Sequence, residues 1–179
     1  MIQLFASIYT TDRPTANILV IGPSGSGKTT IVEKLKLHFT GACMQNIQPT
    51  IGMNLAKFPV QTGRMIDVAL WDLGGAKGLR SLWQNYFQEA NGVLLVIDGS
   101  AGKNSETACE NLEIVRDLIK EPSLSGKPIL IMSSRFGDGD VDLRLDEVDE
   151  GRSVKFMNVD DVLGMVKGLV WLVGECVGR

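Results

Sequence analysis

Ala16-Asn17-Ile18-Leu19-Val20-Ile21-Gly22-Pro23-Ser24-Gly25-Ser26-Gly27-Lys28-Thr29-Thr30 decides how the rest of the chain is read. An apolar run of strand character feeds a glycine-rich turn, and the turn opens a helix. This is Gly-x-x-x-x-Gly-Lys-Thr in the setting that gives the motif its meaning. Gly22, Gly25 and Gly27 allow a backbone that curls its N–H groups inward around an anion. The helix beginning near Lys28 aims the positive end of its dipole at the same place. Lys28 adds a compact cation suited to β- and γ-phosphates, and the Thr29 hydroxyl is placed for Mg²⁺. Gly22, Pro23, Ser24, Gly25, Ser26, Gly27, Lys28, Thr29 and Thr30 are therefore expected to cradle the phosphates of a nucleotide. The bland alternative, a glycine-rich turn that happens to precede a helix, must match every motif position by chance.

Outward from this loop, strand and helix patterns alternate. Ile31, Leu35, Leu37 and Phe39 give the first helix an apolar face. Residues 40–52 lose periodicity and read as a loop ending in Pro49-Thr50-Ile51-Gly52. Met53–Val60 and Arg64–Trp71, joined by Gln61-Thr62-Gly63, read as a hairpin. A helix through Leu82–Phe87, a buried strand Gly92–Asp98 and a helix from Ser105 to Lys120 follow. The strand Pro128–Met132, a short strand Ser153–Met157 and a final helix Val159–Val177 complete the series. The strands after the hairpin are continuous apolar runs, as expected of strands covered on both faces. The fold class is α/β: a mainly parallel six-stranded sheet with one antiparallel edge hairpin and helices on both faces.

Composition narrows the function. A chain of 179 residues, 44% hydrophobic and 22% charged, is one folded domain with room for a full core. Residues 16–179 form that domain, preceded by an amphipathic segment and linker over 1–15. A net charge of −3 leaves no broad basic face, so nucleic acid is not expected as a partner. Cys43, Cys109 and Cys176 are odd in number and far apart, which fits a reducing compartment. No apolar run is long enough to span a bilayer, and residues 1–13 lack the pattern of a secretory signal. The expectation is a cytoplasmic protein, or one held peripherally at a membrane. Residues 2–9 carry Ile2, Phe5, Ile8 and Tyr9 at helical spacing, which suits a membrane surface or a groove on the same domain. A terminal segment packed on the core explains them equally well. Position 2 is Ile, so the glycine needed for N-myristoylation is absent, and no basic residue precedes Arg13.

Three further residues point at the same phosphates. Asp72 ends a strand, where open α/β sheets bind ligands, and a carboxylate there suits Mg²⁺. Gly75 allows close backbone approach, so that its N–H can meet a γ-phosphate. Thr50 ends an otherwise featureless loop and can bring a second hydroxyl to the metal. Singly, each reads as ordinary loop chemistry. In the order phosphate loop, Thr50, Asp72-Leu73-Gly74-Gly75, they form a constellation, with Thr29, Thr50 and Asp72 as the metal set.

The chain resembles small GTPases of the ADP-ribosylation-factor-like (Arf-like) family. The resemblance rests on Gly22–Thr30, Pro49-Thr50-Ile51-Gly52-Met53-Asn54, Trp71-Asp72-Leu73-Gly74-Gly75, Leu79–Phe87 and Val96-Ile97-Asp98-Gly99-Ser100. Gly168–Leu172 is similar to the family's last helix. The resemblance implies the P-loop NTPase (Ras-like) fold, GTP/GDP with Mg²⁺ as cofactors, and a switch in vesicle or ciliary/membrane traffic. In such a switch the γ-phosphate orders the loops of Thr50 and Gly75, and the hairpin between them slides. Effector proteins then read Met53, Trp71 and Tyr86, with exchange and activating factors as further partners. Leu4-Phe5-Ala6-Ser7-Ile8-Tyr9 is similar to the family's N-terminal amphipathic helix, without the glycine that normally carries its lipid, and implies peripheral membrane contact through residues 2–9. For Met53, Trp71 and Tyr86 the bland reading is core packing.

Three positions depart from the pattern. Ala76 stands where the family carries the glutamine that orients the attacking water, so hydrolysis is expected to be very slow. Lys77, a flexible ammonium, is a poor substitute for that amide. Ser134-Arg135-Phe136-Gly137-Asp138 replaces Asn-Lys-x-Asp, the family's guanine-reading motif. Ser134, Arg135 and Asp138 are the base-side candidates, with Asp138 displaced by one residue and Gly137 available as a bulge. Asn158-Val159 replaces a Ser-Ala loop, where the Val159 N–H remains a candidate donor to a base carbonyl. These departures support an alternative, a pseudo-GTPase scaffold with permanent or no nucleotide. A P-loop kinase would need an arginine-bearing lid, and residues 134–152 carry only Arg135, Arg144 and Arg152 among many acids. His38, the only histidine, reads as a surface or packing residue, and Asp138–Glu150 as a solvated face.

Overall fold

The computed structural model describes residues 13–44, 46–100, 105–134 and 153–178. The segment 2–9, Arg135, Asp138 and the acidic stretch to Glu150 lie outside the described residues. Among those described, six strands make one sheet: β1 (Thr15–Ile21), β2 (Met53–Thr62), β3 (Arg64–Leu73), β4 (Gly92–Asp98), β5 (Ile129–Ser134) and β6 (Val154–Asn158), in the order β2-β3-β1-β4-β5-β6. Only the β2–β3 pair is antiparallel. The helices are α1 (Lys28–Thr40), α2 (Gln84–Phe87), α3 (Glu106–Lys120) and α4 (Val162–Val177).

Alternation along the strands divides the core into two layers. Ile18, Val20, Leu94, Val96, Leu130 and Met132 face α1 and α4, meeting Ile31, Leu35, Leu169 and Leu172. Leu19, Ile21, Leu95, Ile97 and Ile131 face the other way, onto Trp83, Phe87, Ile114 and Leu118. Each such side chain contributes roughly 1.5–3 kcal/mol by leaving water, and the parallel strands read as unbroken apolar runs because both faces are covered. The hairpin is one-sided: Ala56, Phe58 and Val60 are buried, while Met53, Leu55, Lys57 and Pro59 point outward. Pro59 is tolerated because β2 is an edge strand.

The observed boundaries refine the expected ones. The hairpin strands run on to Thr62 and Leu73, turning on Gly63 at φ 82°. Buried residues of α1 are Lys28, Ile31, Val32 and Leu35; Leu37 is exposed, and Phe39 stacks on Phe58 with ring centroids 5.1 Å apart. The helix expected through Leu82–Phe87 is split into a 3₁₀ turn, Lys77–Leu82, and the short α2. Helix α4 begins at Val162, because Asp161 caps it by accepting from the Gly164 N–H at 2.7 Å. The phosphate loop, Asp72 and Ser134 all fall at the carboxyl edge of the sheet.

Candidate functional site

The glycine loop is built by contact as well as by conformation. Gly22, Gly25 and Gly27 have φ of 145°, 76° and 92°. A Cβ on Gly22 would lie 2.0 Å from the Val96 carbonyl oxygen, so no side chain fits. Gly27 is the N-cap of α1 and offers no side chain to its first N–H groups, which leaves them to an anion. At the far side, the Ser134 hydroxyl donates to the Ser26 carbonyl at 2.7 Å and also lies 3.3 Å from the Ile97 carbonyl. Ser134 is thus buried and fastens the phosphate loop to β5.

Lys28 is buried, and its ammonium donates to the carbonyls of Gly22 at 3.0 Å and Pro23 at 2.7 Å. Burial pushes its pKa down to about 8, with Asp72 opposing the shift and Arg80 adding to it. Beside it, Thr29 Oγ1 donates to Asp72 Oδ2 at 2.7 Å and lies 3.0 Å from Thr50 Oγ1, itself 3.3 Å from Asp72 Oδ2. The Asn54 amide donates to Thr50 Oγ1 at 3.3 Å. Asp72 Oδ1 is buried without a hydrogen-bond partner. Burial raises the Asp72 pKa; the Thr29 hydrogen bond, the Lys28 charge and the Thr50 hydrogen bond pull it back, while Glu33 adds to the rise. Two hydroxyls and a carboxylate with a spare oxygen fit a hard divalent cation such as Mg²⁺, which takes few protein ligands and completes its shell with water and phosphate.

The loop after β3 closes over this cluster. A Cβ on Gly75 would lie 2.3 Å from Gly22 O, 2.5 Å from Lys28 Nζ and 2.7 Å from the Pro23 carbonyl carbon. One on Gly74 would meet Thr50 O at 2.7 Å and Leu79 Cδ1 at 2.8 Å. The Gly74 N–H donates to Gly52 O at 2.9 Å, so the two loops are joined directly. A cavity of about 400 Å³ remains, lined by Ser24, Lys28, Thr29, Thr50, Gly75 and Ala76 among others. Ala76 stands in its wall as a methyl group, which neither donates nor accepts a hydrogen bond. A second cavity of about 420 Å³ shares Thr29 and Thr50 and reaches Asp72, Glu33 and Asn54.

The base side corrects one expectation. Val159 is buried, and its N–H donates to the Ser133 carbonyl at 3.0 Å instead of standing open for a base. The cause is local: the β5–β6 ladder ends with Ser133 opposite Asn158, and the next N–H, that of Val159, closes this last rung. On the hairpin's outer face, Met53 and Leu55 are exposed, whereas Trp71 and Tyr86 are half-buried against the core and meet edge to face at 6.0 Å. Met53, Leu55 and Trp71 help to line a groove of about 590 Å³. His38 is exposed in the last turn of α1. Sequence reasoning missed Asn54, the Trp83 indole that donates to Gly74 O at 3.0 Å, and the Arg80–Glu110 pair at 2.6 Å. No periodicity or spacing announces such contacts.

Fold and site together define a nucleotide-phosphate-binding α/β domain with two threonine hydroxyls gathered on a buried carboxylate beside its phosphate loop. The family model for the ADP-ribosylation factor family matches residues 1–176. ADP-ribosylation factor-like protein 2 of Arabidopsis thaliana is 31% identical over 173 residues, covering 90% of this chain and 88% of that protein. ADP-ribosylation factor-like protein 3 of Saccharomyces cerevisiae is 31% identical over 121 residues, 66% of this chain and 59% of that protein. ADP-ribosylation factor-related protein 1 of Rattus norvegicus is 34% identical over 122 residues, 66% of this chain and 58% of that protein. The match thus spans less than two thirds of the length of these last two relatives. In fold, the chain is similar to the Arl6 BBS3 small GTPase of Trypanosoma brucei with bound nucleotide analogue GppNp, at TM-score 0.73 and 22% identity over 92% of this chain and 99% of that one. The chain belongs to the ADP-ribosylation factor family, as an Arf-like small GTPase.

Proposed function

We propose that this protein is a GTP-binding Arf-like switch with impaired hydrolysis, recruiting effector proteins in vesicle or ciliary/membrane traffic. The observation that carries the reading is the convergence of Thr29, Thr50 and Asp72, with the buried spare oxygen of Asp72, beside Lys28 and Gly75. Gly22–Thr30 holds the phosphates, with Lys28 exchanging its two carbonyl partners for phosphate oxygens. Thr29, Thr50 and Asp72 hold Mg²⁺, which when bound neutralises charge on the β- and γ-phosphates. Thr50 and Gly75 tie their loops to the terminal phosphate, so that its loss releases both. Ala76 leaves the attacking water without the side chain that would orient it, and triphosphate persists.

Ser134, Arg135 and Asp138 supply the base side: Ser134 by fastening the loop, Arg135 by stacking and Asp138 by pairing with guanine N1–H and amino group. Effectors dock on Met53, Trp71 and Tyr86, with Leu55 extending the apolar area. Residues 2–9 contact the membrane peripherally from the cytoplasm; among the described residues no helix is long and apolar enough to cross one. A second reading, a scaffold with permanent or no nucleotide, draws its support from Val159, whose N–H is already taken. Releasing the nucleotide from protein purified in Mg²⁺ and identifying it by chromatography separates the two. GTP from the parent, and none from Asp138→Ala, is the expected result. An empty protein that also fails to bind added GTP leaves the scaffold standing.

A further inference from the structure

The peptide groups on either side of Gly75 are each held from behind. The Gly74 carbonyl accepts from the Trp83 indole at 3.0 Å, and the Gly75 carbonyl accepts from Arg80 Nε at 3.1 Å. In a trans peptide the N–H points opposite to the carbonyl. Pulling both carbonyls toward the 3₁₀ turn therefore turns the N–H groups of Gly75 and Ala76 away from it. Gly75 itself lies against Gly22 O, Lys28 Nζ and Pro23, at distances that leave no room for a methyl group.

Arg80 is in turn anchored. Its Nη2 donates to Glu110 Oε1 at 2.6 Å, and both side chains are about four-fifths buried, at 21% and 20% exposure. A short charge-assisted bond in such a setting is a strong one. Glu110 stands on α3, whose Asn111, Ile114, Val115 and Leu118 are buried. The guanidinium also lies 5.9 Å from the Trp83 ring centroid, joining the two holders. Lys77 reaches Glu106 at 3.7 Å and Glu110 at 3.9 Å, but from the exposed rim, where ion pairs are worth little. Arg80 is near enough to Lys28 for its charge to be felt there.

We infer that Arg80, braced by Glu110, is a positioning residue that aims the Gly75–Ala76 peptide at the terminal phosphate, so that preference for triphosphate over diphosphate is set partly from α3. The inference rests on the switch reading above and deepens it. With no polar side chain at position 76, the backbone N–H is the donor left there, and its direction matters correspondingly.

The test measures release of fluorescent GDP and of a fluorescent non-hydrolysable GTP analogue in Mg²⁺, for the parent, Arg80→Ala, Arg80→Lys and Glu110→Gln. Arg80→Ala is expected to speed triphosphate release about tenfold, the order of one charge-assisted hydrogen bond, and diphosphate release less than about twofold. Arg80→Lys keeps the charge but not the planar fork, so it should lose most of the preference. Glu110→Gln removes only the brace and should give an intermediate, triphosphate-selective loss. A merely structural pair would change both nucleotides alike, and that outcome, or unchanged triphosphate release, overturns the inference. A parent that binds both nucleotides while Arg80→Ala leaves their ratio intact defeats only the positioning role. A parent that binds neither defeats the switch reading together with it.

Discussion

Asp72 keeps a carboxylate wholly inside the molecule, one oxygen shared by two threonine hydroxyls and the other bare. Its pKa is raised above the usual 3.8, first of all by burial. The folded form therefore holds its proton to higher pH than the unfolded chain. As pH rises from the unfolded value through the folded one, stability falls. Asp72→Asn should accordingly raise the melting temperature of the nucleotide-free protein by about 2–4 °C, the equivalent of about 1 kcal/mol. The same variant should lose the further rise that Mg²⁺ and nucleotide give the parent; a calorimetric scan with and without Mg²⁺ reads both. Lys28 behaves in the opposite sense. Its pKa of about 8 means that the free protein sheds this charge as pH passes that value. Phosphate binding needs the ammonium, so nucleotide affinity should be flat below about pH 8 and fall above it, approaching about tenfold per pH unit. Titration calorimetry from pH 7 to about 9.5 checks this, and Lys28→Met should bind weakly with the slope gone.

At the scale of elements, the site is three loops at one edge of a sheet, and each loop was legible to a different degree. The phosphate loop could be read outright, because its glycines, Lys28 and Thr29 are contiguous and each has a local reason. The sheet followed from the strands' unbroken apolar runs. The split of the expected helix at Trp83 was not legible, since it depends on an indole reaching back to Gly74. Nor was the role of Ser134, whose hydroxyl meets the Ser26 carbonyl 108 positions away in the chain. Val159 misled for the same reason: a backbone donor looks open in sequence until a neighbouring strand takes it. Such contacts are long-range, and only the assembled layers bring them together. One tight junction between elements is Gly75 against the phosphate loop. Gly75→Ala must displace backbone atoms of Gly22 and Pro23 as well as the Lys28 side-chain tip, a cost of about 1–3 kcal/mol that the loop escapes by opening. The variant is expected to fold and to retain GDP, but to bind the non-hydrolysable triphosphate about tenfold or more weakly, a ratio that competition binding measures.

For the molecule as a whole, the proposed function makes position 76 the point on which the cycle turns. A switch returns to its off state either by hydrolysing the triphosphate or by letting it go. With Ala76 in the cavity wall beside Lys28 and Thr50, the hydrolytic route lacks its orienting side chain. The two loops joined through Gly74 and Gly52 can hold together for as long as the triphosphate stays. Under the proposed function, release, hastened by an exchange factor, is then the route out. Ala76 is exposed and opens the 3₁₀ turn with φ −60° and ψ 141°, a conformation that any residue adopts. Ala76→Gln should therefore fold without penalty and place an amide at the cavity. Single-turnover hydrolysis is expected to quicken by about 10²-fold, the lower end of what a positioned acid–base group contributes. GDP should replace GTP as the nucleotide that copurifies, while the rate of triphosphate-analogue release stays unchanged. If hydrolysis does not quicken in a variant that still binds GTP, then more than one side chain separates this site from a working hydrolase, and release is the only exit the fold provides.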